Sequence, residues 1–154
     1  LDIILKKRKS SKAFSTKSKN LFFKPIPRLE FGHKSIRYTS SSIDSSDGLS
    51  SCLIELSNQS KKKFLITKIP TNNDVKEFSE KNNTSLNRLV FDGGEEFELV
   101  FTVTPKNLKK IHALGKKNKI SIFEIGHVSK GKGVFFDDGN NLFKIKDNGW
   151  QHFR

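Results

Sequence analysis

Three stretches of this sequence carry side chains whose types and spacing could do chemistry. Phe91-Asp92-Gly93-Gly94-Glu95-Glu96-Phe97-Glu98-Leu99 joins two glycines to a cluster of acids and then opens into an apolar run. Paired glycines let the backbone turn tightly and approach a ligand, because without Cβ they take φ > 0 at little cost. Carboxylates this crowded disfavour one another's charge and call for cations, ligand donors or solvent. Asp44-Ser45-Ser46-Asp47-Gly48 sets two carboxylates and two hydroxyls where a strand should give way to a helix. Asp and Ser are the ordinary N-capping residues, which is one reading. The other is that Asp44 and Asp47 hold hard divalent cations, since magnesium takes one or two carboxylates plus substrate phosphates. Trp150, the single tryptophan, either covers an apolar edge or stacks on a planar or cationic ligand.

Other reactive types are uninformative. His33, His112, His127 and His152 show no metal-ligand spacing and, with Cys52, suggest no zinc site. Gly131-Lys132-Gly133 lacks a phosphate-loop pattern and reads as a turn, and no Ser-His-Asp arrangement can be assigned.

The elements that must position these residues follow from periodicity. Residues 1–20 read as a basic helix end and a Ser/Lys-rich connector. Lys24-Pro25-Ile26-Pro27-Arg28 must be extended, because each proline restricts itself and its predecessor. Leu29 to Ile36 suggests a short helix and Ser41 to Asp44 a strand end. Leu49, Cys52, Leu53 and Leu56 recur at three- and four-residue steps, so a helix starts near Asp47 and Cys52 is a small core residue. Phe64 to Ile66 is a strand, 72–90 holds two short helices, and Phe97 to Val103 is a strand stopped by Pro105. Lys106 to Lys117 is an amphipathic helix. Ile120 to Val128, Gly133 to Phe136 and Leu142 to Ile145 read as strands, the last two joined by an Asp137–Asn141 hairpin turn. Alternating helices and strands predict an α/β (α+β) domain, a layered mixed sheet with helices.

Composition narrows the partners. A chain of 154 residues with 34% apolar content and 14 Phe can bury one core. No apolar run approaches the roughly 20 residues that span a bilayer, which excludes a membrane-spanning helix. A single cysteine excludes an internal disulfide framework and fits a reducing, cytoplasmic setting. With no methionine and a start at Leu1 inside an apolar segment, the chain reads as a fragment. The net charge of +13 is uneven: residues 1–40 hold 11 Lys/Arg against 2 Asp/Glu, and residues 41–154 hold 18 against 14. Such a tract can bind polyanions by releasing counterions, but a solvated lysine face is the commoner meaning. Nucleic acid is therefore not the expected partner.

Taken in order, these segments resemble the C-terminal half of the thiamine-monophosphate kinase family, in the aminoimidazole ribonucleotide synthetase-like superfamily. Lys24-Pro25-Ile26-Pro27-Arg28 resembles its Pro-x-Pro-Arg entry, and Ile43-Asp44-Ser45-Ser46-Asp47-Gly48-Leu49 its Ile-Asp-x-Ser-Asp-Gly-Leu. Gly93-Gly94-Glu95-Glu96-Phe97-Glu98-Leu99 is similar to Gly-Gly-Glu-Asp-Tyr-Glu-Leu. Ile125-Gly126-His127-Val128 and the closing Gly149-Trp150-Gln151-His152-Phe153 complete the set, which runs from about Pro25 to the end.

The resemblance implies a C-terminal domain over 21–154, fold-like that of aminoimidazole ribonucleotide synthetase, beside an N-terminal ATP-binding domain absent from this chain. It implies an ATP- and Mg2+-dependent conversion of thiamine monophosphate to thiamine diphosphate by a cytoplasmic homodimer. Asp44 and Asp47 would hold Mg2+, Ser46 would contact ATP, and Glu95 and Trp150 would contact thiamine monophosphate. A cationic thiazolium suits a carboxylate and an indole face, and phosphoryl transfer needs positioning and charge neutralisation above all. Two positions depart from the family: Cys52 stands where a second Asp is usual, and Ser45 where an apolar residue is usual. Without the N-terminal half, residues 1–154 alone should be inactive. The rivals are another enzyme of the superfamily with a different small substrate, and a non-catalytic module that uses residues 1–40 on nucleic acid.

Overall fold

Ser11 starts the first helix by accepting a hydrogen bond from the Phe14 amide at 3.2 Å, and Pro25 follows its end. The computed structural model describes Ile3 and residues 8–147. Helix α1 (Lys12–Phe23) thus occupies much of the stretch expected to be a connector. The side-chain cap and the proline stop supply boundaries that its Ser/Lys composition concealed. After the extended Pro25–Pro27 segment come α2 (Leu29–Ser35) and strand β1 (Thr39–Asp44).

Helix α3 (Leu49–Ser60) buries the expected stripe, with Leu49, Cys52, Leu53 and Leu56 all inside. Lys61 ends it in the left-handed conformation (φ 54°) and feeds β2 (Lys62–Ile66). Helices α4 (Asn73–Lys81) and α5 (Leu86–Phe91) are each opened by a side-chain cap, from Asn72 and Ser85. Strand β3 (Leu99–Val103), a short 3-10 turn and α6 (Leu108–Lys117) lead to β4 (Gly126–Lys130), β5 (Gly133–Asp137) and β6 (Leu142–Lys144).

Two sheets result. β1 and β3 form an antiparallel pair, and the other four strands lie in the order β4-β2-β5-β6. Within the second sheet β2 runs parallel to β5, with Phe64 beside Val134 and Ile66 beside Phe136, all four buried. These side chains, the α3 stripe and Val90 and Phe91 of α5 make one core. Phe91 meets Phe136 edge-on, ring centroids 5.4 Å apart. The α/β reading therefore holds. Among the described residues, no helix is long and apolar enough to cross a membrane.

Two strand boundaries differ from expectation. The strand expected from Phe97 begins at Leu99, because Glu95 and Phe97 adopt positive φ (68° and 51°) and break the extended run. The strand expected over 120–128 is confined to Gly126–Lys130. Gly115 lies under Ile122, whose side chain a Cβ there would meet at 2.6 Å, so the chain around Ile120 and Ile122 packs on α6 rather than pairing. The Asp137–Asn141 turn forms as expected, with the Asp138 carboxylate accepting from the amides of Asn140 and Asn141. Those two bonds hold its pKa below the usual range.

Candidate active site

The β1–β3 ladder carries the two acidic stretches to one end of the small sheet. Asp44 pairs with Leu99 and Ile43 with Val100. Beyond the ladder, backbone hydrogen bonds continue between the loops: Ser45 N donates to the Glu98 carbonyl (2.8 Å), Phe97 N to Ser45 (3.1 Å) and Glu95 N to Ser46 (2.8 Å). A Cβ on Gly94 would lie 2.8 Å from the Ser46 carbonyl oxygen. The two turns therefore touch backbone to backbone, and this contact requires the glycine. The segments that hold Asp44, Ser46, Asp47 and Glu95, some fifty residues apart in sequence, therefore meet at one end of the small sheet.

The capping reading of the first turn fails. The N-cap of α3 is Gly48 (φ 105°), and no side chain caps the helix. Asp44 and Asp47 are both exposed, and neither carboxylate makes a hydrogen bond or ion pair among the described residues. Glu95 is likewise exposed and without a side-chain partner there. Three anionic groups thus point to no protein cation. Two of them, Asp44 and Asp47, precede a helix of 12 residues that no side chain caps, and its first amides favour a bound anion. Oxygen-only carboxylate donors suit a hard divalent cation. Among the described residues no group of three His, Cys, Asp or Glu side chains could hold a metal ion. Asp44 and Asp47 fit as a partial ligand set that substrate phosphates or other residues would complete.

Several participants carried no role in the sequence reading. Arg28 grips Glu98 with both ends of its guanidinium, Nε to Oε2 at 2.9 Å and Nη2 to Oε1 at 2.5 Å. The Arg28 pKa is raised, first by that hydrogen bond. Burial and the neighbouring Glu98 charge push the Glu96 carboxyl up to about 7. Glu96 as a whole residue keeps exposed surface, so the crowding concerns the surroundings of its carboxyl group. The Ser45 hydroxyl offsets part of that shift, yet its buried oxygen has no partner in hydrogen-bonding geometry, so the contact is weak. Only the density of acids in 95–98 could have signalled this from sequence.

Cys52 donates its thiol to the Asp44 carbonyl oxygen (3.1 Å) and is 4% exposed. Burial, then the charges of Asp44 and Asp47, push the thiol up to about 11. It is a neutral core residue beneath the turn, as its place in the stripe implied. Ser51, in the first turn of α3, donates to Asp147 at 2.7 Å and ties the chain just before the closing motif to this site. Trp150 itself lies outside the described residues.

No protein-family model matches the chain. It is 46% identical, over its full length, to thiamine-monophosphate kinase of Nitrosopumilus maritimus, covering 49% of that protein. With thiamine-monophosphate kinase of Aquifex aeolicus it shares 28% identity over 99% of the chain and 47% of the relative. The chain therefore spans about half the length of the curated relatives it matches. Among solved structures it is similar to "AaThiL complexed with AMPPCP and TMP", at 27% identity and a TM-score of 0.76, over 99% of this chain and 46% of that one. Sequence and fold together make the chain similar to thiamine-monophosphate kinases over about half of their length.

Proposed function

We propose that the chain is the C-terminal domain of an enzyme that transfers the terminal phosphoryl group of ATP to thiamine monophosphate, giving ADP and thiamine diphosphate. One observation carries the reading: the 2.8 Å bond from Glu95 N to the Ser46 carbonyl joins two turns whose Asp44, Asp47 and Glu95 carboxylates have no partner among the described residues. A relative captured with AMPPCP and TMP supports the same pair of ligands here.

In this reading Asp44 and Asp47 hold Mg2+, which when bound neutralises phosphate charge. The Ser46 hydroxyl and the uncapped amides of α3 face the phosphates of ATP. Glu95 offers its carboxylate to the cationic thiazolium, and Trp150 its indole face. Asp147, three positions before Trp150 in the sequence, accepts a hydrogen bond from Ser51 at 2.7 Å. No side chain here acts as a nucleophile; the domain positions and neutralises.

An N-terminal ATP-binding domain supplies the remaining ligands, the full-length protein is a cytoplasmic homodimer, and residues 1–154 alone are inactive. The test is to assay residues 1–154 and the full-length protein with ATP, thiamine monophosphate and Mg2+. Thiamine diphosphate formed by the full-length protein alone supports the reading, and none from either defeats it.

A further inference from the structure

We infer that Arg28 is a positioning residue for substrate, holding the Glu95 loop in its working shape through Glu98. The inference rests on the reading of Glu95 as the contact to thiamine monophosphate.

The loop needs such a clamp. Between Gly94 and Leu99 the chain places Glu95 and Phe97 at positive φ (68° and 51°), a conformation that side-chain-bearing residues keep only when their surroundings enforce it. Three backbone bonds to Ser45 and Ser46 hold its inner side. On its outer side the Arg28–Glu98 pair ties it down, two parallel bonds that fix direction as well as distance. Glu98 is also the residue whose carbonyl receives Ser45 N, so the clamp grips where loop becomes strand.

Arg28 is itself anchored. Pro25 and Pro27 stiffen the approach to it, and its carbonyl accepts from Gly32 N at 2.7 Å in the first turn of α2. That helix is pinned to β3 by Phe31, 2% exposed, whose ring centroid lies 6.0 Å from that of Phe101. The guanidinium thus projects from a rigid base onto a strained loop. The pair is not placed to support the core: Arg28 is 25% exposed and Glu98 51%, and exposed pairs add little to stability. What it offers is geometry.

The test uses the full-length protein with Arg28→Gln, Glu98→Gln and the exchanged pair Arg28→Glu/Glu98→Arg. Each single change should raise KM for thiamine monophosphate about fivefold or more while moving KM for ATP less than about twofold, as expected for a displaced contact. The exchanged pair should recover most of that loss. Glu98→Gln keeps the question open to measurement should Arg28→Gln fail to fold. Unchanged KM for thiamine monophosphate, equal loss for both substrates, or an exchanged pair as impaired as the single variants would each overturn the inference. Glu95→Gln, measured alongside, separates the two ideas. If it weakens thiamine monophosphate while the Arg28 variants do not, only the clamp fails; if it has no effect, the Glu95 assignment falls and takes the clamp with it.

Discussion

Gly48 packs against the backbone of Gly93: a Cβ on Gly48 would stand 2.9 Å from the Gly93 carbonyl oxygen and 3.1 Å from that of Phe91. Gly48 also holds φ at 105°. The turn that offers Asp44 and Asp47 can therefore sit on the Glu95 loop only with glycine there. Gly48→Ala should cost about 2 kcal/mol or more, from strain and backbone displacement together. Urea unfolding of the full-length protein measures it, and an unshifted midpoint would show the turns are less tightly joined.

Asp44→Asn should raise the Mg2+ concentration needed for half-maximal activity and leave stability within about 0.5 kcal/mol, because the exposed carboxylate supports nothing in the fold. Magnesium titration and thermal melting, run on the same preparation, decide the point. An unaltered titration removes Asp44 from the metal site.

Trp150→Ala should weaken thiamine monophosphate by roughly tenfold and leave ATP nearly untouched, as loss of a stacking face on a cation would. Calorimetry on the full-length protein reads both ligands. Equal losses would argue against stacking.

Glu96 makes stability pH-dependent. Its folded pKa of about 7 lies above the ordinary carboxyl value of 4.5, so between those values the native state binds more protons than the unfolded chain. Its contribution is complete below about pH 4.5 and is lost as pH rises through about 7. Glu96→Gln should therefore gain stability over the parent at pH 8 and little at pH 5, in urea midpoints measured at both. A constant difference would mean Glu96 titrates normally.

Cys52, buried with its thiol pushed up to about 11, should resist iodoacetamide at pH 7.5 in the native protein and react once unfolded. Rapid native labelling, followed by mass spectrometry of the peptide, would show that the turn above it opens.

The amino-acid sequence by itself determined the local grammar of this domain. The α3 stripe, the proline-stiffened approach to Arg28 and the Asp138 hairpin depend on interactions a few residues long, so periodicity and turn chemistry expose them. It also contained Asp44, Ser46, Asp47 and Glu95 within recognisable motifs. Tertiary structure alone decided that these belong together, because the β1–β3 register and the glycine contacts join segments that no local pattern links. It likewise decided that Gly48, not Asp47, is the N-cap of α3, so that neither Asp44 nor Asp47 caps the helix. The Arg28–Glu98 grip spans 70 residues. Charge and reach permit many such pairs in a chain this rich in lysine, arginine and acid, and only packing selects one.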